Sequence, residues 1–404
     1  MPPIPPVGPL RVVGRDNPMY VLPFDKHGAT TAPQTLEHAR ATLRSGGFTD
    51  VYLFSHGWNN DWATATGRYD DFAEGLVAQG ADDPGRRALL LGIFWPSTLL
   101  VAPWERAPAM AGETADPERD ELAGDLEPAA AARLRELSAG GELDDERAAE
   151  LAGLLSPVAD PAALTAAARA IAEADAAPGG GDWGTVTGTT AGPAAAGVLA
   201  KLDPRNLIRA ASVWQMKDRA GVIGTTAVAP LLHDALAGTT ARVHCVGHSF
   251  GGKVMLSALA AREPARRAHS LLLLQPAVNH LCFAPQGGYR PVLGRTERPV
   301  FTTYSARDVA LTRFFHLAVR READRYEPRI AAWPEPPSPY AALGGYGPRE
   351  ADDLTQQVVL RPAGSAYALD PERPLAAVDA TDGISGHGAI SNARTWWALR
   401  ELSR

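Results

Sequence analysis

The sequence predicts an α/β fold, a mostly parallel sheet with helices on both faces, and three observations carry that expectation. Residues 51–54 (VYLF) and 88–95 (ALLLGIFW) are continuous apolar runs of the kind buried on both faces of a parallel sheet. A helical stretch through about Gln79 joins them as a strand–helix–strand unit. Residues 241–262 (ARVHCVGHSFGGKVMLSALAAR) read as a strand, a Gly-x-Ser-x-Gly turn and a helix. Further strand-like runs at 270–274, 300–304, 356–360 and 375–378 follow down the rest of the chain.

Taken in order, residues 1–32 are proline-rich and read as an N-terminal arm, with a short strand-like stretch at Met19–Leu22. A first helix is expected over 34–45, closed by Gly46 and Gly47. The second carries Tyr69, Phe72, Leu76 and Val77 on its apolar stripe. The composition then shifts. Residues 105–182 hold 18 acidic and six basic side chains, a local balance of −12, whereas the whole chain of 404 residues carries −7. Helical runs at 128–138, 144–155 and 161–175 make this an acidic helical insertion, ending in the glycine-rich joint 178–181. The domain reading is therefore an arm (1–32), an α/β domain (33–104 and 200–404) and an insertion (105–199) that is a lid or a partner surface. A long helical region at 206–237 should break near Gly221, Gly224 and Pro230. Residues 280–298 read as a loop, a helix with Phe314, Phe315 and Leu317 follows the strand at 300–304, and 322–350 looks irregular. The last helix is expected over 389–402.

Several function classes recede on composition. The acidic balance argues against nucleic acid or an anionic membrane as the main partner. Two cysteines, Cys245 and Cys282, give no disulfide framework. The start lacks the pattern of a signal peptide, and no apolar run approaches the ~20 residues of a spanning helix, so a cytoplasmic protein is expected. His244 and His248, four apart on a strand, are roughly 13 Å apart and cannot share a metal. No metal, no cofactor and no dinucleotide or Walker-type loop is expected.

The chemistry concentrates on Ser249. A serine hydroxyl is a poor nucleophile until a base takes its proton, and that base needs a third group to orient it. In a parallel sheet such groups lie on loops leaving the C-terminal strand ends. His387, in a glycine-flanked loop between the last strand and the last helix, meets that condition; His280 is a rival, while His269 starts a strand and His316 lies within a helix. Asp308, four residues past Tyr304, has the right strand end for the orienting acid, although it also looks like a helix N-cap. Asp382 is its rival. An oxyanion would be met by the amides of Phe250 and Trp58. His56, Trp62, Trp95, His248 and Phe283 are expected to line a substrate pocket and suggest an apolar acyl or aryl group.

The segments HGWNND (56–61), WPS (95–97), GHSFGG (247–252), ARD (306–308) and GHG (386–388) together resemble the α/β-hydrolase superfamily. They are similar in particular to a bacterial group of serine hydrolases with an HG-aromatic-NN loop and a Trp-Pro-Ser after the next strand. The resemblance covers about 50–100 and 200–400. It implies the α/β-hydrolase fold, Ser249, Asp308 and His387 as a catalytic triad, and Trp58 and Phe250 at an oxyanion hole. The expected activity is cleavage of a small-molecule carboxylic ester through an acyl-enzyme. Thioester and amide substrates use the same machinery, and a hydrolase fold can also be retained as a non-enzymatic binding module.

Overall fold

The structure, a computed structural model, describes residues 5–58, 60–97, 122–124, 126–139, 143–156, 160–175, 203–315 and 339–404. Nine strands form one sheet in the order β1-β2-β4-β3-β5-β6-β7-β9-β8, in which only β1 runs antiparallel to its neighbour. The strands are β1 (Arg11–Val13), β2 (Asn17–Pro23), β3 (Asp50–Ser55), β4 (Ala88–Phe94), β5 (Arg242–His248), β6 (Ser270–Leu274), β7 (Val300–Tyr304), β8 (Thr355–Val359) and β9 (Leu375–Asp379). The α/β class and the mostly parallel sheet expected from the sequence are present.

Alternate residues of each strand feed two separate cores, because successive side chains of a strand point to opposite faces. On one face Leu22, Val51, Leu53, Leu91, Val243, Cys245, Leu271 and Leu273 pack under α1 (Pro33–Ser45) and the helices that precede and follow β5. On the other, Met19, Tyr52, Phe54, Val246, Leu272 and Phe301 pack under α2 (Trp62–Ala78) and the C-terminal helix. The central strands are apolar on both faces for that reason, which is why they read as unbroken runs in the sequence.

Residues 11–23 are not an arm. β2 lies inside the sheet, parallel to β4 through Met19–Pro23, and all seven of its residues are buried. Its prolines, Pro18 and Pro23, stand near its two ends, where a missing N–H disturbs the ladder least.

The insertion is helical where described, with α3 (Pro128–Ala139), α4 (Asp145–Leu154) and α5 (Pro161–Asp175). These helices build a core of their own from Leu134, Leu137, Leu151 and Leu164. That core takes in Leu207, Ile208, Ala211 and Trp214 of α6 (Pro204–Val222), so α6 belongs at one end to the insertion and at the other to the sheet. The joint at 178–181 lies outside the described residues. The break expected in 206–237 is a π-helical stretch, Ile223–Val228, before α7 (Ala229–Gly238). Gly224 lets it approach α8 (Phe250–Ala260), since a Cβ there would overlap the Val254 carbonyl and Ser257. The run Asn206–Gly238 is long and apolar enough by composition to cross a membrane, which the sequence reading had not anticipated. Met216, Ile223, Val228 and Leu231 of this run are buried in the core beside the sheet.

Two helix boundaries differ from the expectation. α8 starts at Phe250, inside the Gly-x-Ser-x-Gly motif rather than after it, with Gly251 and Gly252 in its first turn. The last helix, α10 (Ala393–Leu402), starts four residues late because Asn392 caps it in a reciprocal box with Thr395. A short helix, α9 (Leu343–Tyr346), lies in the stretch read as irregular, and a π-helical turn, Ala310–Phe314, follows Asp308. His316 and Leu317 lie outside the described residues.

Candidate active site

β5 delivers Ser249 at its C-terminal end. The residue has φ 56°, a left-handed conformation that an L side chain adopts only when its surroundings impose it. The glycines around it explain the pattern. A Cβ on Gly247 would overlap the Gly251 backbone, and one on Gly251 would overlap the carbonyls of Ser55 and His56. The turn is tied on both sides: Ser249 N–H donates to the Leu274 carbonyl, and its own carbonyl accepts from Gly252 and Ala277.

His387 stands over this serine. Its Nε2 lies 2.8 Å from Ser249 Oγ, and its Nδ1 lies 2.8 Å from Asp308 Oδ2. A carboxylate can only accept, so Nδ1 carries the proton, and Nε2 accepts from the serine hydroxyl. The three residues follow β5, β7 and β9, at the C-terminal ends of these parallel strands. Asp308 is fully buried and divides its oxygens. Oδ1 accepts from Leu311 N–H as a helix cap, and Oδ2 accepts from His387 and from Gln275 Nε2 at 3.1 Å. Asp308 thus makes both a helix-cap bond and a contact to a histidine. Its rival Asp382 is 82% exposed and faces Arg307. Among the other histidines, His280 is buried, with burial lowering its pKa to about 4, and His269 pairs with Glu297.

The loop after β3 lies against the serine. A Cβ on Gly57 would come within 2.5 Å of Ser249 Cβ, so only glycine permits this approach. Behind Gly57 and Trp58 runs a hydrogen-bonded lattice. Asn60 Nδ2 donates to the Gly57 and Trp58 carbonyls, and Ser97 Oγ bridges the Asn60 backbone. His56 Nε2 accepts from Trp95 N–H, which leaves Nδ1 to donate to the Gly57 carbonyl at 2.8 Å. Burial lowers the His56 pKa to about 4, keeping it in this neutral tautomer. Its ring stacks on Trp95 at 5.4 Å, and the indole donates to Ser55 Oγ. The HGWNND and WPS segments are thus two halves of one support.

Most of the residues expected to line a pocket do not. His56 and Trp95 are buried beneath the loop, because their polar atoms are consumed in holding it. Trp62 packs edge-on against Phe94 on the far face of the sheet. Phe283 is wholly inside the core between sheet and helices. His248 is buried with its Nε2 donating to the His387 carbonyl at 2.8 Å, so it braces the loop rather than facing a ligand. Trp58, half-buried, and the buried Phe250 flank the serine in the fold; the Phe250 N–H opens α8 and has no acceptor within that helix.

Two residues went unread in the sequence, Gly57 and Gln275. Gly57 lay inside a quoted motif, but its need for a hydrogen in place of a side chain depends on Ser249, far along the chain. Gln275 follows β6 with no motif around it. Among the described residues, no group of three or more His, Cys, Asp or Glu side chains could hold a metal ion. Comparison with known proteins assigns no family: no family model, curated protein or solved structure matches the chain.

Proposed function

We propose that this chain is a serine hydrolase of the α/β-hydrolase fold that cleaves a carboxylic ester through an acyl-enzyme. One observation carries the reading. A serine on a strained strand-to-helix turn is hydrogen-bonded to a histidine that is itself held by a buried carboxylate, both contacts at 2.8 Å. A turn serine with only a structural role has no need of that second and third partner.

The chemistry then follows from the groups available. Ser249 Oγ attacks the ester carbonyl while His387 Nε2 takes its proton, and Asp308 stabilises the resulting imidazolium. The oxyanion is met by the amides of Phe250 and Trp58, each contributing roughly 2.7–4 kcal/mol to the barrier reduction when well aimed. His387 returns the proton to the departing alkoxide. It next takes a proton from water, whose oxygen attacks the acyl carbonyl, and it gives that proton to Ser249 Oγ as the ester bond to the serine breaks and the acid leaves. The steps use only side chains of this chain, two backbone amides and water. An apolar acyl or aryl group is the proposed substrate feature, and Trp58 is the aromatic side chain that supports it.

The test is labelling of Ser249 by a fluorophosphonate, with Ser249→Ala and His387→Ala alongside. Labelling of the wild type alone, followed by turnover of p-nitrophenyl esters of rising chain length, is the expected result. A folded wild type that neither labels nor hydrolyses these esters refutes the proposal.

A further inference from the structure

We propose that Gln275 is a positioning residue for the reaction, holding the Asp308 carboxylate in the orientation that aligns His387 on Ser249. The inference rests on the hydrolase reading above and extends it to a residue outside the three that carry the relay.

Four observations converge on this side chain. Gln275 is completely buried immediately after β6 and has φ 44°, one of only three non-glycine residues at positive φ among the described residues. Ser249 is another, so two of the three strained positions lie in one site. Every polar atom of the Gln275 side chain is engaged. Nε2 donates to Asp308 Oδ2 and to the Gly344 carbonyl, each at 3.1 Å, while Oε1 accepts from Thr303 Oγ1 at 2.9 Å. The backbone N–H of Gln275 donates to the same hydroxyl at 2.9 Å. The amide therefore has one workable orientation, with its nitrogen toward the carboxylate.

That nitrogen meets the same Asp308 oxygen that receives His387 Nδ1–H. Oδ1 is already committed to the helix cap at Leu311, so Oδ2 would otherwise be fixed on its outer side by His387 alone. Gly344 completes the clamp: a Cβ on it would overlap the Gln275 backbone, and Ser305 N–H donates to its carbonyl at 3.0 Å. Gln275 thus ties β6, β7 and α9 to the acid at the point where a small displacement reaches the imidazole.

The experiment uses the full chain with Gln275→Met, similar in shape but lacking the donor, and Gln275→Glu, which keeps an acceptor for Thr303. Gln275→Met should lower kcat on a p-nitrophenyl ester about tenfold to hundredfold with KM unchanged, as expected for misalignment of a reacting group. Gln275→Glu sets a second carboxyl against Asp308 Oδ2, where two buried carboxylates do not both ionise freely. The added negative charge of the coupled pair should move the acid limb of the kcat/KM profile to higher pH. A merely structural role would lower the melting temperature without moving that limb. Wild-type kcat in Gln275→Met, a loss confined to KM, or an unmoved acid limb in Gln275→Glu overturns the proposal, and Gln275→Glu alone decides it if the Met variant does not fold. If the wild type is inactive, the hydrolase reading fails. The assignment is then judged by proton NMR of the His387 Nδ1–H: its signal should persist in Ser249→Ala and shift or vanish in Gln275→Met, and retention unchanged in Gln275→Met overturns it.

Discussion

Adding one methyl group at Gly57 tests the site at its most crowded point. In Gly57→Ala the new Cβ would lie 2.5 Å from Ser249 Cβ, 3.0 Å from the His248 carbonyl and 3.1 Å from His248 Nδ1. None of these neighbours is the free end of a flexible chain. Ser249 is fixed by the turn, and His248 is buried and bonded to the His387 carbonyl. The 56–58 backbone must therefore retreat, by roughly 1 Å if carbon–carbon contact is to become ordinary again. That backbone bears the Trp58 N–H, proposed above as an oxyanion donor, and withdrawing one such donor costs about 10²–10³ in kcat, or ~2.7–4 kcal/mol. Overpacking costs ~1–3 kcal/mol of stability, small enough to leave the protein folded at room temperature. Steady-state hydrolysis of a p-nitrophenyl ester should show a large loss in kcat with little change in KM, and thermal melting a modest drop. Near wild-type kcat in folded Gly57→Ala means that the Trp58 amide does not stabilise the transition state.

Two other perturbations read the same architecture from different sides. Asn60→Ala removes both side-chain bonds to the Gly57 and Trp58 carbonyls, so kcat should fall about tenfold to hundredfold through misplacement of the loop; unchanged kcat in the folded variant refutes a supporting role. Acid should destabilise the fold well before its carboxylates titrate. Burial lowers His56 and His280 to about 4, while in the unfolded chain each takes its proton near 6.5. The unfolded state thus binds more protons between these values, and the stability present above pH 6.5 is lost as pH falls toward 4, by about 1.4 kcal/mol per pH unit for each histidine. Urea midpoints measured at pH 7, 6 and 5 should fall in that order, and a flat series contradicts the neutral assignments.

What the sequence made legible is what depends on local pattern. β3, β4, β5 and β6 are continuous apolar runs because both of their faces are buried, and α3, α4 and α5 follow from composition and caps such as Asp144. The strand-like stretch at Met19–Leu22 lies within β2, but β1 and the place of β2 inside the sheet were missed, since a proline-rich start resembles an arm until β4 supplies the partner that buries it. At the site, Ser249, Asp308 and His387 could be chosen because each follows a strand at its C-terminal end. The support beneath them was not legible in the same way. His56 and Trp95 stood out as aromatic groups near the chemistry, yet their hydrogen bonds to each other's segments turn them inward. Gln275 reaches Asp308 across 33 residues and Gly344 across 69, and no periodicity encodes such a contact.

For Asp308, a cap bond and the relay role proposed above are not alternatives. A carboxylate has two oxygens with about four acceptor positions, enough for a cap and a relay at once. Here the cap takes Oδ1, which fixes the carboxylate plane relative to the helix it starts, and Oδ2 is thereby turned toward His387. In the hydrolase proposed above, the structural bond would be part of the catalytic geometry. The same holds for His248, whose bond to the His387 carbonyl secures the base from behind, and for His56, whose neutral tautomer fixes the Gly57 carbonyl. Ser249, His387 and Asp308 are each held by neighbours that are themselves bonded, so their alignment is a property of the packed strand ends rather than of the three residues alone.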